Sequence, residues 1–207
     1  MLIVAPSYAQ FKVGVTGGLN ISKFIVSDDD YKGYIDKTRP GFIIGPTVLY
    51  NVPKTNFGID LSALFDSRGA TSKTYSDCET IHYYSFQFPI NVRYNIVLDD
   101  LDTGYGFLFT GPQFGWSTGN HDQLIISGKG KSTGHDLERR WISQNSTFSW
   151  NFGVGAVVFN KLQVRISYNF ALRKTGEVHQ IDLTDGTHKM LTSGKANACQ
   201  VAISYLF

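Results

Sequence analysis

The strongest constraint in this 207-residue chain is an alternation of apolar and polar residues with period two, repeated along most of its length. In extended backbone successive side chains point to opposite faces, so each such segment has one apolar and one polar surface. Residues 161–172 show it most fully. Leu162, Val164, Ile166, Tyr168, Phe170 and Leu172 share one face; Gln163, Arg165, Ser167 and Asn169 share the other, with Ala171. Residues 147–158 set Phe148, Trp150, Phe152, Val154, Ala156 and Val158 against Thr147, Ser149, Asn151, Gly153 and Gly155. In residues 82–95, His82, Tyr84, Phe86, Phe88, Ile90, Val92 and Tyr94 oppose Ser85, Gln87, Asn91, Arg93 and Asn95. Residues 57–66 and the segment from Cys199 to Phe207 follow the same rule. Three segments are weaker. Residues 11–20 alternate, residues 41–51 are spoiled by Ile43 and Leu49, and residues 105–116 begin with Tyr105, Phe107 and Phe109 but lose parity near Gly111-Pro112.

Eight such segments predict an all-β fold: an eight-stranded antiparallel up-and-down transmembrane β-barrel with long extracellular loops and short periplasmic turns. The spacings support it. Residues 21–40, 67–81, 117–146 and 173–195 are long connections. Residues 52–56, 96–104 and 160–161 are shorter and alternate with them. Sequential hairpins would then put every long connection at one end. No run of 18 apolar residues exists, which excludes a transmembrane helix. The apolar sets are expected to face lipid, because the opposite sets carry charges that hydrocarbon would not accept. Tyr50, Phe57, Tyr94, Tyr105, Tyr205 and Phe207 would ring one end, and Phe65, Tyr84, Trp116, Trp150, Tyr168 and Phe170 the other, as amphipathic rings favour the lipid–water boundary. Pro46, Pro89 and Pro112 fall inside strands, where each is expected to mark a bulge or break.

Residues 1–9 (MLIVAPSYA) resemble the end of a secretory signal peptide, with Ser7 and Ala9 at the cleavage-determining positions. Residues 10–207 would be the barrel domain. An apolar first strand is the simpler alternative for that start. Cys78 and Cys199 are too few for a disulfide framework and are read as unpaired. The formal charge of +2 is too small to imply a nucleic acid partner.

Parity directs Lys12, Asp60, Asp66, Arg93, Arg165 and Arg173 into the lumen, with Gln87, Asn91, Asn151, Gln163, Asn169 and Gln200. Eight strands leave an interior just wide enough for side chains to fill, and buried charges must pair. The expectation is a structural plug of ion pairs and amides, with Arg93 nearer Asp60 than Asp66. Among the five histidines, His121-Asp122 and His135-Asp136 lie in the longest connection, where a Ser–His hydrolase could be built. Nothing in the sequence fixes that geometry. His179 and His188, with Asp182 and Asp185, and His82 lack zinc-site spacing. The GKGK run at 128–131 lacks the rest of a phosphate loop and is read as a solvated tip. No catalytic residue, metal or cofactor is expected.

The chain resembles the PorT-like outer-membrane β-barrel family of Bacteroides-type bacteria. The matching pieces are Gly18-Leu19-Asn20, Gly41-Phe42, Ser67-Arg68-Gly69, FQFPINVRY (Phe86 to Tyr94) and Gly111-Pro112, in that order along residues 11–207. Tyr205-Leu206-Phe207 looks like the aromatic-ended strand read by the barrel-assembly machinery. The resemblance implies the Gram-negative outer membrane. That family includes members linked to type IX secretion and others without known activity, so the resemblance leaves the function open. The expectation is a non-enzymatic interaction, structural or secretion-associated component with a plugged polar lumen. Its partners would be outer-membrane lipid and lipopolysaccharide, the assembly machinery through Tyr205 and Phe207, and envelope proteins. Two alternatives come from other classes: an outer-membrane lipid-modifying hydrolase, and a soluble lipocalin-like ligand-binding barrel with its apolar residues inside.

Overall fold

The computed structural model describes residues 11–26, 37–74, 77–97, 104–118, 122–129, 136–182 and 187–207. Residues 1–9, assigned above to a signal peptide, lie outside them. The described residues form β1 (Phe11–Val26), β2 (Lys37–Asn51), β3 (Phe57–Ser62), β4 (Leu64–Thr74), β5 (Asp77–Val97) and β6 (Gly104–Thr118). β7 (Asp122–Lys129), β8 (Asp136–Ser143), β9 (Ser146–Val158), β10 (Leu162–Ala171), β11 (Gly176–Asp182) and β12 (His188–Leu206) follow. All pairings are antiparallel. β12 returns to β1, from Gly14 opposite Leu206 to Val26 opposite Gly194, and this closes the barrel.

These segments make eight strands of wall. β3 and β4 are one strand: both pair with β2 and with β5, on either side of Ala63. β8 runs into β9 through residues 144–145, and β10 into β11 through 172–175. There β8 pairs with β11 as β9 pairs with β10, in a slipped register. β7 pairs with β8 where β6 has ended.

The long connections are therefore mostly strand. The 19 residues of β12 run roughly 60 Å at about 3.4 Å each, well past an apolar band of about 25 Å even when tilted. Residues 117–146, expected to be loop, hold β7 and β8. Gly128 and Lys129 of the supposed free tip face Leu137 and Asp136; residues 130–131 lie outside the described set. Cys78, also placed in a loop, pairs within the β4–β5 hairpin opposite Lys73. The hairpins continue the ladder because that keeps backbone amides and carbonyls bonded beyond the membrane edge.

Pro46, Pro89 and Pro112 make no bulge, but the pairing breaks locally opposite Pro46, between β3 and β4, and across Pro112, between the Pro89–Gln113 and Val92–Thr110 pairs. Val15 faces Pro46 in an unbroken β1–β2 register. Pro89 faces Gln113 and Val92 faces Thr110, so β5 and β6 keep step across Pro112. Each proline removes a single donor, a loss of about 1 kcal/mol that the flanking ladder tolerates. Ala63 shows how: its N–H donates to the Pro46 carbonyl (3.0 Å), while Pro46 has no N–H to return. That missing bond is the gap between β3 and β4. The register shift that does occur in β2 lies between Arg39 and Phe42.

Candidate functional site

The inner face carries the polar sets. Asp60, Asp66, Arg93, Arg165, Gln87, Asn91, Asn151, Gln163, Asn169 and Gln200 are all buried. Asp60 on β3 is the hub at the short-turn end. Its Oδ2 accepts from Arg165 Nη1 on β10 (3.5 Å) and from Gln163 Nε2 (3.4 Å); its Oδ1 accepts from Thr47 and Ser62 hydroxyls. Arg93 on β5 reaches the hub through Gln163, donating from Nη1 to Gln163 Oε1 at 3.0 Å, and its Nε donates to Asn95 Oδ1 at 2.9 Å. A ladder of amides spans β10, β9, β6 and β5 above. Asn169 donates to Asn151, Asn151 to Gln113, Gln113 to Gln87 and Gln87 to Ser85, all at 2.7–2.8 Å. Higher still, Arg68 binds Asp66 Oδ2 through Nη2 (2.6 Å) and Nε (2.7 Å), and Asn20 Nδ2 donates to Asp66 Oδ1.

Two of the six charges expected inside are not part of this network. Lys12 is half-buried at the short-turn rim, where its Nζ donates to the Asn160 carbonyl (2.8 Å). Arg173 is exposed. β10 ends at Ala171, so the alternation that pointed Arg173 inward no longer holds two residues later.

In the first half of β6 parity is the opposite of that expected, while Trp116 faces outward as expected. Phe107 and Phe109 point inward and are buried, while Leu108, Phe114 and Trp116 point outward. Inward and outward positions alternate without a slip from Phe107 to Ser117. Tyr105 packs against the inward pair rather than joining a girdle. Two glycines of β9 make room: a Cβ on Gly153 would stand 2.6 Å from Phe109 Cζ, and one on Gly155 closer still to Phe107 Cζ. The Phe107 ring then lies 3.8 Å from Arg93 Cζ, a cation–π contact that shields the guanidinium. The outward parity of Leu108, Phe114 and Trp116, with glycines two apart on the neighbouring strand, was the available signal. Ile43 and Leu49, which break the alternation of β2, are likewise inward and buried.

The outer face decides what surrounds the barrel. Phe152, Ile166 and Ile203 are each more than half exposed (51, 51 and 54 %), and Val164 is 36 % exposed, while Asn151 and Arg165 between them are 3 and 5 %. Girdle rings meet in pairs: Phe11–Tyr50, Phe57–Tyr94 and Tyr205–Phe207 at one end, and Phe42–Phe65 and Phe65–Tyr84 toward the other. A soluble barrel would not expose a continuous apolar belt of this extent, and the lipocalin-like alternative falls with it. Residues 7–176 match the family described as outer membrane protein beta-barrel domain.

The chain belongs to that family.

An outer membrane β-barrel of this kind sits in the bacterial outer membrane. OprG from Pseudomonas aeruginosa is similar, with a TM-score of 0.52 at 9 % identity over 96 % of both chains. Ail, the attachment invasion locus protein of Yersinia pestis, follows at 0.45 and 14 % identity over 96 % of this chain and 99 % of that one. The protease OmpT from Escherichia coli gives 0.44 at 10 % identity over 95 % of each. No curated protein sequence matches the chain.

In this outer membrane β-barrel, among the described residues, neither His179 nor His188 joins the lumen network. His179 Nε2 is 3.5 Å from Glu177 Oε2 on β11. His188 opens β12 and is exposed, and His82 lies within β5. His121 and His135 are outside the described residues. Cys199 is free and exposed on the outer face. Arg68 was not among the charges expected inside, yet it shares the parity of Asp66 and lay two residues beyond where the strand was thought to end.

Proposed function

We propose that this protein is a non-enzymatic outer-membrane barrel with a closed lumen, acting through its raised β-hairpins and its lipid-facing wall. The filled inner face carries the reading. Asp60, Gln163, Arg93 and Arg165 form one bonded group, the amide ladder from Asn169 to Ser85 lies beyond it, and Phe107 and Phe109 project from β6. Side chains tied to one another across β3, β5, β6, β9 and β10 leave few polar groups to coordinate a passing solute. They also supply no nucleophile held beside a base.

The PorT-like kinship is the finer part of the proposal. Three of its short motifs meet in space, which supports it. Asn20 donates to the Ser67 carbonyl (3.1 Å) and to Asp66, and a Cβ on Gly41 would collide with Ser67 and stand 2.6 Å from Asn20 Oδ1. On this reading Tyr205 and Phe207, both exposed on the wall, offer the contact for barrel assembly. Envelope proteins are the partners at the raised hairpins, and lipid and lipopolysaccharide those at the wall.

Planar-bilayer recording of the purified protein tests the closed lumen. No stable unitary conductance is expected for the wild type. A steady open level that persists across preparations would overturn the proposal and restore a channel.

A further inference from the structure

Two interruptions of the wall fall side by side on neighbouring strands. β8 gives way to β9 through residues 144–145 beside the 172–175 break between β10 and β11. Just below them, Phe88, Phe114, Phe148 and Leu172 form one outward row across four neighbouring strands. Phe88 faces Phe114, Phe114 faces Phe148, and the Leu172 N–H donates to the Phe148 carbonyl (3.0 Å). The Phe114 and Phe148 rings are 5.0 Å apart. Above the row, Trp116 lies opposite Ser146. Ser146 is small and outward, and Thr147 turns its side chain inward toward Gly115, so a gap is left in the outer surface between the Trp116 ring and Arg173. The result is a cleft of about 610 Å³ bordered by the aromatic row, Trp116 and Arg173. That volume falls within the roughly 300–1,000 Å³ of small-molecule sites.

Charge and position select the occupant. β6 and β10 both run toward the raised hairpins, so Trp116 and Arg173 stand on the extracellular side of the Phe row, at the outer-leaflet end of the belt. Among the described residues no carboxylate pairs with Arg173. An exposed guanidinium above an apolar floor matches a molecule with an anionic head and a hydrocarbon tail, and a guanidinium fork suits phosphate in particular. Basic pockets on membrane proteins recognise lipid head groups in this way.

We propose that this cleft is a binding site for a net-anionic lipid of the outer leaflet that carries a phosphate monoester, with an acyl chain along the Phe88–Phe114–Phe148 row and the phosphate on Arg173. It deepens the lipid partnership proposed above and rests on it only for the presence of such a lipid at this end.

Trp116 is the built-in reporter. In a Trp141→Phe/Trp150→Phe background it is the only tryptophan left, since the chain has three. The protein is folded into phosphatidylcholine vesicles that carry the same bromine content either on phosphatidic acid or on phosphatidylcholine. Quenching by the phosphatidic acid is expected to report about fivefold enrichment over phosphatidylcholine, the factor one arginine supplies near a membrane surface. Arg173→Ala is expected to remove the excess. Ser146→Phe, which fills the cleft and leaves the charge, is expected to remove it too. Heat-modifiable migration on gels confirms that each variant is folded. Equal quenching by the two lipids would overturn the site while leaving the general lipid contact of the wall intact. An excess that survives Arg173→Ala, or survives Ser146→Phe, would overturn it as well. No quenching by either lipid would defeat both the site and the lipid contact.

Discussion

Removing the hub carboxylate gives a direct measure of what holds the lumen together. Arg165 is 5 % exposed and its ion pair is with Asp60. Arg93 keeps Asn95, Gln163 and the Phe107 face when Asp60 changes, so the loss falls chiefly on Arg165. Asp60→Asn leaves a buried guanidinium without its counter-charge, which costs about 3–5 kcal/mol, a factor of roughly 10²–10⁴ in the folding equilibrium. Arg165→Met leaves Asp60 with hydrogen bonds from Thr47, Ser62 and Gln163 and is expected to cost less. In the double variant Asp60→Asn/Arg165→Met neither charge remains, so most of the Asp60→Asn loss is recovered. The assay is reversible urea unfolding in lipid vesicles, followed by tryptophan fluorescence and by migration of unheated protein, over a complete double-mutant cycle. An Asp60→Asn variant within about 1 kcal/mol of wild type, or a double variant equal to the sum of the singles, would refute the reasoning and mean that the lumen is wet enough to screen these charges.

Ile166→Arg or Val201→Arg places a charge on the exposed belt, on strands that face each other at those two residues; either is expected to cost about 2–4 kcal/mol near the midplane and to lower the yield of inserted barrel in vesicles. Full insertion of both would contradict the lipid-facing assignment. Gly155→Ile drives a side chain into the space of the Phe107 ring and is expected to cost about 1–3 kcal/mol by overpacking, a loss that Phe107→Ala in the same chain partly restores. Urea midpoints that show no such rescue would mean that the ring does not depend on the glycine.

How much of this was legible in the sequence depends on what each residue has for neighbours. The eight strands and their inner and outer faces follow from alternation alone wherever the two faces differ chemically, as in β10, where Arg165 and Asn169 contrast with Ile166 and Phe170. Alternation fails where both faces are apolar. Phe107 and Phe109 look like lipid-facing residues until Gly153 and Gly155 are placed beside them, and that adjacency is set by strand pairing, not by local sequence. Arg173 errs the other way. Its parity is right for a strand that has already stopped at Ala171, and the stopping point depends on the Leu172 and Arg173 amides both donating to the Phe148 carbonyl. The cleft was illegible for the same reason, since it exists only because two interruptions on different strands fall side by side.

The prolines explain why the inner network can be rigid without being elaborate. Pro46 faces Ala63, and Pro89 faces Gln113 from the next wall strand. Each missing donor weakens the ladder locally, and each lies close to residues of the lumen network: Thr47 beside Pro46 holds Asp60, and Gln113 opposite Pro89 joins Gln87 to Asn151. Side-chain bonds across the lumen thus tie together levels of the wall at which Pro46 and Pro89 each withhold a backbone donor. A barrel whose ladder were complete could do without them, and its interior could then be lined by small residues and left open. Here the wall and its filling are coupled, so a change that empties the lumen is expected to soften the wall at the heights of Pro46 and Pro89 before it opens a path along the axis.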